Sequence, residues 1–342
     1  MNKQVEVTSL GKLYIAGEYS VVVGGGSIIF PVFKNVSVRL KEDKDYYVYS
    51  HKYHDCYTKL DFESEDKSTI YIKQVINFFN KYIKELGIEV KKYKIEIHSS
   101  LDNDDNKKYG FGSSAAIIIS LLKALFVFYN IPFDKLMLFK AGVIVQANIS
   151  KYTSFGDLAC ISYGSKVYYK KFDPKIFVLF SRLSISELLK IEWEGLVIEE
   201  LNLNYKFLIV HTNEIASSYN LVRNVLNYID KPEFEKFRKN SDELVIEIKN
   251  NSNDMMTIIE KLNLNLSFLN TFSNSNFYTK GMENVEEVIK KYNGVYKFSG
   301  AGGGDCVICF FEDLGSLNKA KIELQEKGYD LLVYKGSEID ES

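Results

Sequence analysis

Three stretches of this chain hold residues whose types and spacing can do chemistry. The first is KYGFGSSAA at 108–116. Gly110 and Gly112 permit positive φ and a close backbone approach. Ser113 and Ser114 follow, and a long apolar run starts at that point, so a helix beginning there aims free N–H groups and a positive dipole end at one spot. Such a spot binds anions, and phosphate is the usual one. The same residues also read as a glycine turn with a serine cap, and this motif alone leaves the two readings even. The second stretch is FSGAGGGDC at 298–306. Gly300, Gly302, Gly303 and Gly304 cost backbone entropy that a simple hairpin has no need to spend, whereas consecutive N–H groups there can form a nest for phosphate or carboxylate. The third is GKLYIAGEYSVV at 11–22, in which Lys12 precedes an apolar strand that ends in Gly17, Glu18 and Tyr19. Taken by itself, a lysine at a strand start is solvated. Neither GxxxxGK[ST] nor GxGxxG occurs, which removes the two commonest nucleotide-binding designs.

Other candidates carry less. Cys306 and Cys309 form a CxxC, but no second pair or spaced histidines accompany them. In a strand, residues three apart face opposite sides, so both read as small apolar core residues, as do cysteines generally when buried. His51, His54, His98 and His211 have no partner at metal spacing and receive no role. Trp193 reads as packing. The formal net charge of -2 provides no footprint for nucleic acid or an anionic membrane. The hydrophobic share of 46% and charged share of 26% are those of a soluble globular protein. The apolar stretch at 115–131 is short for a bilayer and carries Lys123 at its middle, so it reads as a core helix. The opening residues lack the pattern of a signal peptide, and a cytoplasmic location is expected.

The elements that must position these motifs follow from periodicity. Strands are expected at 5–8, 13–16, 27–32, 36–40, 46–50 and 94–98. A helix is expected over 70–86, where Ile72, Val75, Ile76, Phe79, Tyr82 and Ile83 recur near 3.6 residues. Residues 102–108 form a polar loop. Helices at 114–129 and 134–147 follow, with Pro132 between them, and TSFGDLACISYG leads to a strand at 166–169. A polar stretch at 172–194 looks like a crossing region. Beyond it come a strand at 207–211, helical text over 217–228 and onward past Pro232 to about 269, and a helix at 285–292. The end reads as strand (295–298), glycine loop, strand (306–311), helix (316–327) and strand (331–334). With 342 residues, two domains of α+β class are expected.

Taken together, and in this order, the three motifs resemble those of the GHMP kinases, the superfamily of galactokinase, homoserine kinase, mevalonate kinase and phosphomevalonate kinase. The likeness spans nearly the whole chain. It implies a ribosomal-protein-S5-like N-terminal domain (1–180), a ferredoxin-like C-terminal domain (181–342) and an active site between them. Within the superfamily, GKLYIAGEYSVV, the Asp305–Cys306 pair after the glycines, and TSFGDLACISYG are similar to the bacterial phosphomevalonate kinase branch. The resemblance therefore implies transfer of a phosphoryl group from ATP to 5-phosphomevalonate, with Mg²⁺, in a monomer or homodimer that binds neither nucleic acid nor membrane. It implies catalytic roles for Lys12 and Asp157. Lys108, Tyr109, Gly110, Phe111, Gly112, Ser113 and Ser114 would hold the nucleotide, with Ser113 or Ser114 offering a hydroxyl to the metal. Lys12, Tyr19, Ser154, Ser217, Ser218, Ser299, Ala301 and Gly302 would meet the acceptor. One departure stands out: mevalonate kinases carry a metal-binding Glu where VIVQANIS has Gln146, so metal ligation would rest on serine, phosphates and water.

A phosphate acceptor also changes what the site must do. Its second pKa lies near ~6, so it arrives as a dianion and needs little help losing a proton. Unit charges about 4 Å apart repel by ~4 kcal/mol at an effective dielectric of 20. The expectation is that Lys12 bridges the two phosphates and Asp157 orients Lys12. The rivals are mevalonate or homoserine kinase, a decarboxylase of the same superfamily, and a non-catalytic sensor, which the presence of both Lys12 and Asp157 disfavours.

Overall fold

A computed structural model describes residues 3–51, 54, 56–64, 66, 68–101, 109–214, 216, 218–336 and 338–340. The polar loop expected at 102–108 lies outside them. The first half is organised by two long paired strands, β1 (Gln4–Ala16) and β2 (Gly26–Asp43). Beside them run β3 (Tyr47–Ser50), β4 (Thr58–Lys59), β5 (Lys92–Ser99), β6 (Val167–Lys170) and β7 (Val197–Glu200), in the order β4-β3-β5-β2-β6-β7, with β1 paired to β2. Strand β2 is long enough to pair with β5 along its second part and β6 along its first. Because β7 pairs with β6, the first sheet keeps the chain past residue 180, as far as Glu200.

Each of the two leading strands was expected as two. The text around 9–11 and 31–35 looks turn-like because β2 bulges there: Leu10 pairs with Asn35 and Gly11 already with Val32, which leaves Phe33 and Lys34 of β2 without a partner on β1. A bulge bends and twists a strand. Burial along β1 alternates before this point and is continuous from Gly11 onward, so β1 passes from a one-sided to a fully covered environment. Since β1 pairs with β2 alone, its outer edge is open, and there the Lys12 N–H donates to the Phe111 carbonyl at 3.0 Å.

Helices α1 (Ile70–Glu85), α2 (Ser113–Tyr129), α3 (Lys135–Ala147) and α4 (Gly156–Tyr163) pack on this sheet and on one another. Helix α2 is buried nearly all round, as expected of a helix hydrophobic on every side. Helix α4 falls where the sequence suggested only a lead into a strand. It starts at Phe155 in the left-handed region, with no side-chain cap, so it carries none of the usual start signals. The crossing region holds two short helices, α5 (Ile176–Leu179) and α6 (Ile185–Lys190), and buries Trp193 against Phe172, 4.9 Å between ring centroids.

The second half is an antiparallel sheet in the order β12 (Glu338–Asp340), β11 (Leu331–Lys335), β8 (Lys206–His211), β10 (Cys306–Phe310), β9 (Val295–Phe298). Its helices are α7 (Ser218–Leu226), α8 (Pro232–Lys249), α9 (Met255–Phe272), α10 (Lys280–Lys291) and α11 (Leu314–Glu326). The helical text after Pro232 thus breaks in two, and the Asp254 side chain caps the second piece by accepting from Thr257 N. Both faces of this sheet are covered. Phe207, Ile209, Ile308 and Phe310 join the first half's core, while Leu208, Val210, Val307 and Cys309 join a second core under the helices. Cys306 and Cys309 fall in different clusters, as strand geometry requires. Asp242 of α8 clasps the turn after β1, accepting from Ser20 Oγ and Gly26 N, each at 3.0 Å.

Candidate active site

The three motifs converge. Lys12, on the outer edge of β1 just past the bulge, sends its ammonium to the Gly110 carbonyl at 3.1 Å and to Asp157 Oδ2 at 3.4 Å, with the Tyr14 ring 5.2 Å away. The lysine side chain is 9% exposed and the aspartate 33%, so the pair is sheltered and open on one side. Gly112 caps α2 in the left-handed region, with no capping hydroxyl, which removes the serine-cap reading; Ser113 and Ser114 lie inside the helix. A Cβ on Gly112 would sit 2.8 Å from Lys12 Cε, so glycine is required both for φ and for space. Asp157 occupies the first turn of α4. The positive ends of α2 and α4 therefore open at the same lysine.

Beside them lies a cavity of about 700 Å³ lined by Lys12, Tyr14, Tyr19, Ser154, Asp157 and Ala301, among others. Two aromatic residues here have positive φ: Tyr19, which lines the cavity, at 64°, and Phe155, buried between the lining residues Ser154 and Asp157, at 60°. Each costs of order 1–3 kcal/mol and persists only where surroundings enforce it. Tyr19 is enforced by stacking on Phe277 (4.7 Å) and by donating its hydroxyl to the Ala301 carbonyl at 2.5 Å. Ser154 is pinned from three sides: its Oγ lies 2.8 Å from the Tyr14 hydroxyl and accepts from Gly156 N at 3.3 Å, and its carbonyl accepts from Tyr169 at 2.7 Å. Burial, reinforced by Asp157, pushes the Tyr14 phenol far up, which keeps it a neutral hydrogen-bonding group.

At the base of the cavity, Glu18 meets Lys297 of β9 in an ion pair whose side chains are 3% and 0% exposed. Burial pulls the Lys297 ammonium down and Glu18 opposes that shift. Gly17, before Glu18, has φ 92°, and a Cβ there would lie 2.2 Å from the Gly26 carbonyl. The GE dipeptide is thus a tight corner joined to a bolt between the two halves. Lys171 approaches the cavity wall from behind, donating to the Thr153 carbonyl at 2.7 Å and the Val22 carbonyl at 3.4 Å; burial lowers its pKa to about 8.

Not every expected residue meets the cavity. Ser299 donates back to the Tyr14 carbonyl at 2.9 Å, tying the glycine loop to β1. Gly302 is turned against Phe277, and Gly300 lines the cavity instead. Lys108 and Ser217 lie outside the described residues, as does the side chain of Ser218. Asp305 faces Gly110, and its Oδ1 accepts from Ala216 N at 3.3 Å. Gln146 lines the cavity; its Nε2 reaches Thr153 Oγ1 at 3.4 Å and its buried Oε1 has no partner among the described residues. Among those residues no cluster of three His, Cys, Asp or Glu could hold a metal. The oxygen donors at hand, serine hydroxyls and one carboxylate, suit a Mg²⁺ that keeps phosphate and water ligands. Tyr71, Tyr152, Arg223 and Asn227 also line the cavity. The sequence offered no sign of them, because each depends on how a helix or loop of one half is turned toward the other.

Comparison with known proteins identifies the family. Residues 71–165 match the family model of the GHMP kinases N terminal domain, and residues 244–330 that of the GHMP kinases C terminal. A phosphomevalonate kinase of Saccharolobus solfataricus is 27% identical over 92% of this chain and 93% of its own. The solved structure of the Streptococcus pneumoniae phosphomevalonate kinase in complex with phosphomevalonate and AMPPNP superposes with a TM-score of 0.86 at 26% identity, covering 97% of this chain and 99% of that one. A Methanococcus jannaschii mevalonate kinase, 21% identical with a TM-score of 0.70 over 97% and 98% of the two chains, shares the fold.

Proposed function

The chain belongs to the GHMP kinases, and from that premise we propose that it transfers the γ-phosphoryl group of ATP to the phosphate of 5-phosphomevalonate, giving 5-diphosphomevalonate. The observation that carries this proposal is the setting of one ammonium. Lys12 stands between the Gly110 carbonyl of the glycine turn and Asp157 at the cavity wall, and an ammonium has three N–H donors. Two are spoken for and the third is left for ligand oxygens. The triphosphate lies along the Gly110–Ser114 turn, against the N-terminus of α2. The acceptor lies in the cavity between Tyr19, Ser154 and the Gly300–Ala301 wall. Ser113 or Ser114 would offer a hydroxyl to a Mg²⁺ bound with the nucleotide, which would supply charge neutralisation.

Phosphoryl transfer asks a protein for positioning and electrostatics more than covalent chemistry. The acceptor phosphate is already a dianion near neutral pH, so Asp157 serves chiefly to hold the Lys12 ammonium at the junction of the two phosphates. Lys12 offsets their repulsion as the acceptor oxygen forms its bond to the γ-phosphorus and the bond to the ADP oxygen breaks. No helix among the described residues is long and apolar enough to cross a membrane.

The test is ADP release with 5-phosphomevalonate, mevalonate and homoserine assayed in parallel. Turnover with 5-phosphomevalonate is expected to exceed the others at least a hundredfold in kcat/KM. Faster turnover of either hydroxyl acceptor reassigns the enzyme within the superfamily, and no turnover of any refutes it.

A further inference from the structure

The charged residues lining the cavity are Lys12, Glu18, Asp157 and Arg223. Three of the four are committed: Lys12 with Asp157, and Glu18 with Lys297. Arg223 differs. It is exposed on α7 and no carboxylate among the described residues pairs with it, whereas Arg39 is held by Glu6 and Glu96, and Arg238 by Glu235 and Asp242. Its position is not that of a stray surface cation. Arg223, Leu226 and Asn227 all line the cavity. That spacing of three and four follows one stripe of a helix, so α7 turns Arg223 and Leu226 to the ligand space, and Asn227, in the turn just after the helix, adds a second polar group beside Arg223. Val225, between them, is buried in the core on the other side.

The acceptor named above carries a carboxylate at the end opposite its phosphate. The phosphate belongs at Lys12, where transfer happens. A second anion then needs its own cation, and the committed residues supply none. We infer that Arg223 binds the carboxylate of the acceptor, making it a specificity-determining residue for acidic acceptors; this rests on the phosphomevalonate reading. A planar guanidinium meets a carboxylate through two parallel N–H bonds, which fixes the acceptor's orientation as well as its charge. Asn227, one turn further on, is placed to take a neighbouring oxygen.

The experiment measures kcat and KM for acceptor and for ATP in the wild-type enzyme, R223Q and R223K, with 5-phosphomevalonate and with its carboxyl methyl ester. R223Q is expected to raise KM for the acid at least tenfold while leaving kcat and the ATP KM within about twofold. R223K should recover part of the loss. The ester should be a poor acceptor for the wild-type enzyme and no poorer for R223Q. An unchanged KM for the acid in R223Q, with the wild-type enzyme active, overturns the role of Arg223 and leaves the proposed function standing. An equal loss for acid and ester also overturns it, since that marks a structural defect. Absence of turnover by the wild-type enzyme with 5-phosphomevalonate overturns both.

Discussion

Two lysine–carboxylate pairs leave the same stretch of β1 and its exit corner, six residues apart, and they behave as opposites. Lys12–Asp157 is open to the cavity on the aspartate side, its members 3.4 Å apart. Glu18–Lys297 is sealed, with both side chains almost wholly out of solvent. In the first pair the ammonium can trade or add partners as charge arrives. In the second nothing but the pair itself can balance either charge. Nearness to the site therefore does not predict role: openness does. The first pair should fail in catalysis and the second in folding.

The largest expected effect is on turnover. Lys12→Met should lower kcat by at least about a thousandfold, the scale on which removing a transition-state cation costs phosphoryl-transfer enzymes, with thermal stability little changed. Asp157→Asn should lower kcat by no more than that, because its task is to hold the lysine. A Lys12→Met enzyme that keeps a tenth of its kcat, or an Asp157→Asn enzyme that loses far more, reverses the assignment of the two groups.

The sealed pair breaks the other way. Lys297→Met leaves a carboxylate buried without its counter-charge, a change worth about 3–5 kcal/mol, read as a lower urea midpoint. The double variant Glu18→Gln/Lys297→Met should be more stable than the single one, because a neutral pair needs no compensation. If Lys297→Met proves as stable as wild type yet loses activity, the sealed pair is functional and the contrast between the two pairs collapses.

A third cation sharpens the comparison, since Lys171 is buried with carbonyl partners and burial alone as the cause of its lowered pKa of about 8. Below that value the folded and unfolded chains both carry the proton. Between about 8 and the ordinary lysine range the folded protein has released a proton that the unfolded chain still holds, so stability rises with pH across that window. The gain is on the order of 3 kcal/mol at full extent. Urea denaturation at pH 7 and pH 10 should show this rise in wild type and a smaller one in Lys171→Met. Parallel pH dependences in the two proteins would remove the assignment.

How much of this was readable from the chain divides along the same line. The glycine turn, Lys12 and Asp157 belong to local patterns with a fixed order, and the structure brings them to one point. The α+β class and most helices follow from period and punctuation. What escaped depends on tertiary contact. Two long strands looked like four because the 9–11 stretch of β1 and the bulged 31–35 stretch of β2 resemble turns. Helix α4 begins on an aromatic residue with positive φ, a start that no propensity favours. Lys297 looks like any lysine in a short strand; only the fold sets it against Glu18. Arg223 becomes notable only once α7 is seen to face the cavity.

The smallest effect concerns the hydroxyl that ties the two halves together over the cavity. Tyr19 donates to the Ala301 carbonyl and stacks on Phe277. Tyr19→Phe keeps the ring and its packing and deletes one hydrogen bond, a loss of about 1 kcal/mol. The Ala301 carbonyl borders the cavity, so water can replace the lost donor, which holds the cost down. The expected result is a small drop in Tm and a rise of a few fold in the acceptor KM, because the Gly300–Ala301 wall is less firmly held, with kcat nearly unchanged. The left-handed backbone at Tyr19 should persist, since the Gly17 corner and the Phe277 stack enforce it from below. A hundredfold fall in kcat would mean instead that the phenol touches the transferring phosphoryl group, and Tyr19 would then stand with Lys12 on the open side of the comparison.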